Sequence, residues 1–337
     1  MSSAQGDASG LVTVVIPFFN RARTLGRALD SAIAQTYTRW EIVLVDDGST
    51  DTSLAVAERY ARDYPGRIRV LRQANGGPGV ARNTGIKDAR GSYIAFLDSD
   101  DEWSPTFIER VLVAFEACPE VDWIYVNVRR MGENGAVIIP SVFDDQRAGP
   151  FRKLKTRSCA HLNVIEDPGF LETAIAYTVK EGANSIVRRN VFDRVTYHPT
   201  IRFGEDRILT MSAIAAGFRF GYIDEILMTK FHHGENISII DEREIDKIMS
   251  AQAELIFGLK YIEHALTLNH RERQALRVRL SKHYLEYARL MIDGKRDFLR
   301  PVPYLIRAVV THPARGPALS AIGRKIRNRL GRANISK

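Results

Sequence analysis

The sequence predicts an α/β fold: a mostly parallel sheet with helices on both faces, followed by a C-terminal helical region. Three observations carry this. Short β-rich runs alternate with helical patterns over the first hundred residues, the apolar runs are continuous rather than alternating, and acidic clusters fall where two of those runs end.

The elements follow in order. Leu11–Phe18 reads as a fully buried strand, and Leu25, Ala28, Leu29, Ala32 and Ile33 then share one helical face. Trp40–Val45 is a second buried strand, stopped by Asp46-Asp47-Gly48-Ser49. Thr50 or Asp51 caps the next helix, whose inner face carries Leu54, Ala57 and Tyr60. Ile68–Leu71 is a strand, and Asn75-Gly76-Gly77-Pro78-Gly79 breaks the pattern before a helix over Val80 to Ile86. Tyr93–Leu97 is a strand ending at Asp98-Ser99-Asp100-Asp101, and Pro105 opens a helix with Phe107, Ile108, Val111, Leu112 and Phe115 inward. The βαβα order makes the sheet parallel, and ligands of such sheets sit beyond the carboxyl ends of the strands.

Residues 130–180 hold several Gly and Pro residues and a basic patch, Arg152-Lys153-Lys155-Arg157, and read as excursions over the site. Order returns with a strand at Asn184–Val187, a helix at Glu205–Ala216, and strands at Phe218–Ile223 and Ile226–Phe231. From Asp241 the pattern is helical. The expected division is a flexible start (1–10), an α/β domain (11–240, with a first half at 11–103 and a second at 104–240), and a C-terminal helical region with a basic tail (241–337).

The chain has 337 residues, of which 45% are hydrophobic and 26% charged, enough for a full core and inconsistent with global disorder. Cys118 and Cys159 are too few for a disulfide framework, and their scarcity fits a reducing compartment. Leu11–Phe19 lacks the basic flank and cleavage site of a signal peptide, and no run approaches the ~20 apolar residues of a membrane span. A cytoplasmic protein is expected. The net charge is +8, concentrated at the end in Arg324, Lys325, Arg327, Arg329, Arg332 and Lys337. Such a tail is a solvated basic segment or suits an anionic surface. With the apolar Leu305, Val309, Leu319, Ile322, Ile326 and Leu330 it suits the inner face of a membrane, and no nucleic acid is expected.

Asp98-Ser99-Asp100 carries the strongest chemical signal. Two carboxylates one residue apart on a turn leaving a strand suit a hard dication, Mg²⁺ or Mn²⁺, which keeps waters and takes phosphate oxygens as further ligands. The competing reading is a solvated acidic turn. Asp101 and Glu102 are assigned to the dipole of the helix after Pro105. Asp47 suits a base N–H or a ribose hydroxyl, or else an Asx-type loop bond. Gly76-Gly77-Pro78-Gly79 with Arg82 suits phosphate. Glu205-Asp206 opens a helix, where acids commonly serve its dipole. His232-His233 has ligand chemistry but is equally a polar loop.

Together these residues resemble the inverting family-2 glycosyltransferases of GT-A fold. The matching text is Val14-Val15-Ile16-Pro17-Phe18-Phe19-Asn20, Ser31 to Thr36, Val45-Asp46-Asp47-Gly48-Ser49-Thr50-Asp51, Gly79-Val80-Ala81-Arg82-Asn83-Thr84-Gly85 and Tyr93 to Trp103. The resemblance implies a nucleotide-diphosphate sugar donor, a UDP-sugar by family weight, and a glycan or lipid-linked acceptor. It implies Pro17, Asn20, Asp47, Arg82, Asp98 and Ser99 on the donor side, with Asp47 on the base. It places Asp100, Asp98 and His233 at the metal, and Asp206 as general base with Glu205 the alternative. His233 to Ser238 looks like the family's H-x-x-N-x-S stretch. Family members often carry G-G-F-D before E-D, whereas this chain reads Val195-Thr196-Tyr197-His198-Pro199-Thr200, so acceptor identity does not transfer.

Three other readings compete. A dinucleotide-dependent oxidoreductase needs glycines in the first βα turn, which here is Pro17-Phe18-Phe19-Asn20-Arg21. A nucleotidyltransferase shares the sheet and metal chemistry but releases pyrophosphate. A non-catalytic nucleotide-sugar-binding subunit has no need of Asp206 or of both carboxylates of the D-x-D pair.

Overall fold

The computed structural model describes residues 10–144, 151–177, 184–233, 244–294 and 300–312. The chain separates into two compact units, Met1–Glu235 and Asn236–Lys337.

The first unit is built on a single mixed sheet of eleven described strands. Its parallel half contains β1 (Val12–Phe18), β2 (Trp40–Asp46), β3 (Ile68–Arg72) and β4 (Tyr93–Phe96), in spatial order β3-β2-β1-β4. Between them run α1 (Leu25–Ile33), α2 (Ser53–Asp63) and α3 (Pro78–Asp88). The continuous apolar runs are explained by burial on both faces. Ile42 and Leu44 join the core with Leu25, Leu29 and Ala57, while Val43 and Val45 pack on the other side with Ala81 of α3. Asp51 accepts from the backbone N–H of Ser53 at 2.9 Å and so satisfies the start of α2.

Beyond β4 the sheet becomes mixed. After β5 (Glu102–Trp103) and α4 (Phe107–Ala117) come β6 (Trp123–Gly132) and β7 (Val137–Ile139), then β8 (Thr156–Cys159), β9 (Leu162–Ile165) and α5 (Phe170–Ala176). β10 (Ser185–Arg188) enters antiparallel between β4 and β6. It is followed by α6 (Glu205–Ala215) and β11 (Phe220–His232). The two strands expected at 218–223 and 226–231 are one strand, β11, with register shifts between Ile223 and Met228 against β6. The two shifts place three extra residues on β11 and disrupt the ladder locally without ending the strand, which in sequence looks like a turn. β11 runs parallel to β6 and antiparallel to β9 and β5.

Cys118, at the end of α4, and Cys159, in β8, form a disulfide. The count of two cysteines pointed instead to reduced thiols. A count carries no information on proximity, and it is the β8–β9 hairpin lying beside α4 that brings the two together.

The second unit contains α7 (Ile245–Ala265), α8 (His270–Gly294) and α9 (Val302–Thr311). Leu259, Ile262, Leu276, Leu280, Tyr284 and Ala308 are buried in it. Ser281 donates to the carbonyl of Ala308 at 2.8 Å, fastening α9 to α8. None of the described helices is long and apolar enough to cross a membrane. Gly234 to Ser238, which completes the H-x-x-N-x-S stretch, and the basic tail from 313 onward lie outside the described residues.

Candidate functional site

The site forms where the chain leaves β1, β2 and β4. Pro17 is half-buried opposite Val45. Asn20 follows with φ 52°, a left-handed conformation that Asn tolerates better than most residues. Its Oδ1 accepts from the Thr50 N–H at 2.8 Å, and its own N–H reaches Ser49 Oγ at 3.1 Å. Its side chain therefore ties the turn after β1 to the turn after β2.

Asp47 is buried, and both its oxygens accept bonds from the loop that leads into α3. Gln73 Nε2 at 2.7 Å and the Gly76 N–H at 2.8 Å reach Oδ1, and the Gly77 N–H at 2.8 Å reaches Oδ2. The carboxylate thus fixes the start of α3, and through it the position of Arg82.

One face of α3 does most of the assembly. Arg82 is buried, and its Nη2 donates to Asp98 at 2.8 Å while its Nη1 donates to Glu205 at 2.8 Å and Asp206 at 3.3 Å. Asn83 brackets the backbone of Tyr197, accepting its N–H at 3.1 Å and donating to its carbonyl at 2.8 Å. Gly85 permits the close approach of α3 to the sheet, since a Cβ there would lie 2.4 Å from Val15 Cγ1. α6 begins after Gly204, at φ 78°, a turn that delivers Glu205 and Asp206 to Arg82.

The electrostatics follow from burial and pairing. Burial opposes the charge on Arg82, but Asp206, Tyr197, Asp98 and Glu205 together hold its pKa well above the ordinary value. Burial also disfavours ionised Asp98, yet Lys230 and Arg82 outweigh it and hold the carboxyl below its usual range. Glu205 differs. Burial and the neighbouring Asp206 push it up to about 8 against the pull of Arg82.

On the other flank, Asp100 faces His233 Nε2 at 3.1 Å and Arg21 Nε at 3.7 Å. Ser99 is buried between the two carboxylates of the D-x-D pair. Asp101, assigned from sequence to the dipole of the following helix, belongs instead to the cluster. It is fully buried, accepts from the Phe231 N–H at 3.1 Å and lies 3.7 Å from Lys230 Nζ. The helix starts only at Phe107, so that dipole is too far along the chain to explain it. Asp98, Asp100 and Asp101 each offer a carboxylate oxygen within 4.8 Å of the others. Hard oxygen donors so closely grouped, with an imidazole beside them, fit Mg²⁺ or Mn²⁺.

The structure therefore brings Arg82, Asp98, Asp100, Glu205, Asp206 and His233 into one constellation, with Asp47 linked to it through the loop before α3. Sequence reasoning missed Lys230 and Asp101. A single basic residue closing the apolar run Ile226–Phe231 was the available signal for the first.

The model of the family described as glycosyl transferase family 2 matches residues 13–196. This chain belongs to glycosyl transferase family 2. Its first unit has the GT-A fold. Among curated relatives, an uncharacterized glycosyltransferase of Escherichia coli K12, YibD, is 43% identical over 32% of this chain and 30% of its own length. EpsJ of Bacillus subtilis, also an uncharacterized glycosyltransferase, is 32% identical over 64% of this chain and 59% of its own. The chain thus spans less than two thirds of either relative. The succinoglycan biosynthesis protein ExoU of Rhizobium meliloti is 29% identical over 91% of this chain and 85% of its own. In structure, TarS of S. aureus bound to UDP-GlcNAc superposes with a TM-score of 0.62 at 21% identity, covering 88% of this chain and 79% of that one. A mannosyltransferase of Pyrobaculum calidifontis with GDP-Man and Mn²⁺ gives 0.58 at 17% identity, covering 94% and 79%.

Proposed function

We propose that this family-2 enzyme transfers a sugar from a nucleotide-diphosphate donor, a UDP-sugar by family weight, to an acceptor hydroxyl with inversion. The observation that carries the proposal is Arg82, which touches Asp98 of the D-x-D pair and Asp206 of the E-D pair at once. Two carboxylates far apart in the chain are thereby held on one guanidinium, the proximity that a single displacement requires.

In this reading Asp206 is the general base. Its carboxylate is about a quarter exposed, whereas Glu205 is buried against Arg82. With a pKa of about 8, Glu205 keeps its proton at neutral pH and cannot accept another. Asp206 takes the proton of the acceptor hydroxyl as that oxygen attacks the anomeric carbon. The new C–O bond forms while the bond to the diphosphate breaks on the opposite face. Asp98, Asp100 and His233 would hold a divalent ion, which when bound offsets charge on the departing diphosphate. Pro17 and Asp47 line the base side, Asp47 by holding its loop in place.

The relatives' names include a succinoglycan biosynthesis protein, and a glycan acceptor in polysaccharide assembly is the corresponding proposal here. Association with an anionic membrane is supported by the exposed Val302, Ile306 and Val310 of α9, ahead of the basic tail. Equal flotation of full-length and tail-truncated chains on anionic liposomes would count against it.

A nucleotide-sugar panel tests the donor. Binding should raise the melting temperature by mass action, more so with Mn²⁺. Incubation with acceptor should release nucleoside diphosphate rather than pyrophosphate, and NMR of the product should show an inverted anomeric centre. Pyrophosphate release would favour the nucleotidyltransferase reading, and binding without turnover on any acceptor the non-catalytic one.

A further inference from the structure

The acidic cluster at the end of β4 poses an electrostatic problem that β11 answers. Asp98, Asp100 and Asp101 place three carboxylate oxygens within 4.8 Å of one another, and Asp100 and Asp101 are buried. Like charges at that spacing in a partly dry site demand compensation.

Compensation is divided unevenly. Lys230 Nζ lies 3.4 Å from Asp98 Oδ2 and 3.7 Å from Asp101 Oδ2, and only 15% of its side chain is exposed. Asp98 has Arg82 as well, and Asp101 has the Phe231 N–H. Asp100 Oδ2 meets His233 at 3.1 Å and Arg21 at 3.7 Å.

The register makes this arrangement a built one. β11 pairs antiparallel with β5 through Met228↔Trp103 and Thr229↔Glu102. Continuing the ladder by one step sets Lys230 opposite Asp101. A one-residue slip would turn the ammonium to the other face of the sheet.

We propose that Lys230 is a resident cation of the acidic cluster: its ammonium offsets the charge of Asp98 and Asp101 and restricts the site to a single divalent ion, held chiefly by Asp100 and His233 with Asp98 shared between the ion and Lys230. Lys230 is thus a positioning residue that sets metal stoichiometry and affinity. The inference rests on reading residues 98–101 as a divalent-ion site.

The test uses the full chain and Mn²⁺ alone, with no nucleotide sugar, titrated by electron paramagnetic resonance. Wild type is expected to bind at most one ion. Lys230→Met keeps the aliphatic stem but removes the charge, and should bind Mn²⁺ at least about tenfold tighter or take up a second ion. Lys230→Gln is the second neutral variant should the first fail to fold, and Lys230→Arg, which retains the charge, should titrate like wild type. Neutral variants with wild-type stoichiometry and affinity, or weaker binding, overturn the proposal. Because no sugar is present, failure of the donor panel leaves this result standing. Conversely, an active enzyme with unchanged neutral variants refutes the role of Lys230 alone.

Discussion

Arg82 and Glu205 stand 123 positions apart in the chain, yet Nη1 of the one lies 2.8 Å from Oε1 of the other, with both side chains buried. The pair joins α3, which follows β3, to the first turn of α6. It also anchors two further carboxylates, so a single guanidinium organises the centre of the site. Such an arrangement is costly to break from the arginine's side, because Asp98 and Asp206, only about a quarter exposed, lose the cation that faces them.

Arg82→Ala should therefore lower stability by about 3–5 kcal/mol, as removal of one partner of a buried pair does. Arg82→Lys keeps a charge but cannot span three carboxylates, and should recover part of the stability and little of the turnover. Urea denaturation beside steady-state kinetics separates the two. A fully active, fully stable Arg82→Lys enzyme would contradict the bridging role.

Asp206→Asn should reduce turnover about 10²–10⁴-fold while donor affinity holds, because a general base acts on the acceptor proton rather than on donor binding. Isothermal titration with the donor found by the panel provides the check. Parallel loss of donor affinity is the outcome that counts against Asp206 as base.

Glu205 makes a pH prediction whose sign follows from its raised pKa. Between its ordinary value of 4.5 and about 8 the folded protein holds a proton that the unfolded chain releases. Its contribution to stability is present at acidic pH and declines as pH rises through that window. Glu205→Gln, neutral throughout, should flatten the decline when denaturant midpoints are compared at pH 6 and pH 8.5.

Gly85→Ala brings a methyl to within 2.4 Å of a Val15 methyl. Overpacking of this kind should destabilise by about 1–3 kcal/mol and displace α3, carrying Arg82 with it. The melting temperature and turnover are expected to fall together. A variant of wild-type stability would mean that α3 does not approach β1 so closely.

The Cys118–Cys159 disulfide closes a sequence separation of 41 residues. Reduction, or Cys159→Ser, should cost about 2–4 kcal/mol. Thermal melts with and without dithiothreitol read this directly, and identical melts would show the thiols to be free.

The parallel half of the fold was legible because its signals are local. Buried strands such as Trp40–Val45 are continuous apolar runs, α1 shows a helical face, and Asp46-Asp47 and Asp98-Ser99-Asp100 mark strand ends. The same locality made the motifs readable, so family and fold followed from text alone. The antiparallel half was harder. β10 inserts between β4 and β6, and β11 hides a bulge that reads as a turn, because strand order and register are set by partners distant in sequence.

Charge compensation was not legible at all. Sequence shows that Asp98, Asp100, Asp101, Glu205 and Asp206 are acidic. It does not show that Arg82 faces three of them, or that Lys230 comes to lie 3.4 Å from Asp98 and 3.7 Å from Asp101. Residue type and spacing fix which groups can carry charge. Which charges meet, and how far water is excluded around them, depends on the packing of α3, α6 and β11, and that decided which carboxylates are held by cations, which keeps its proton and which faces His233.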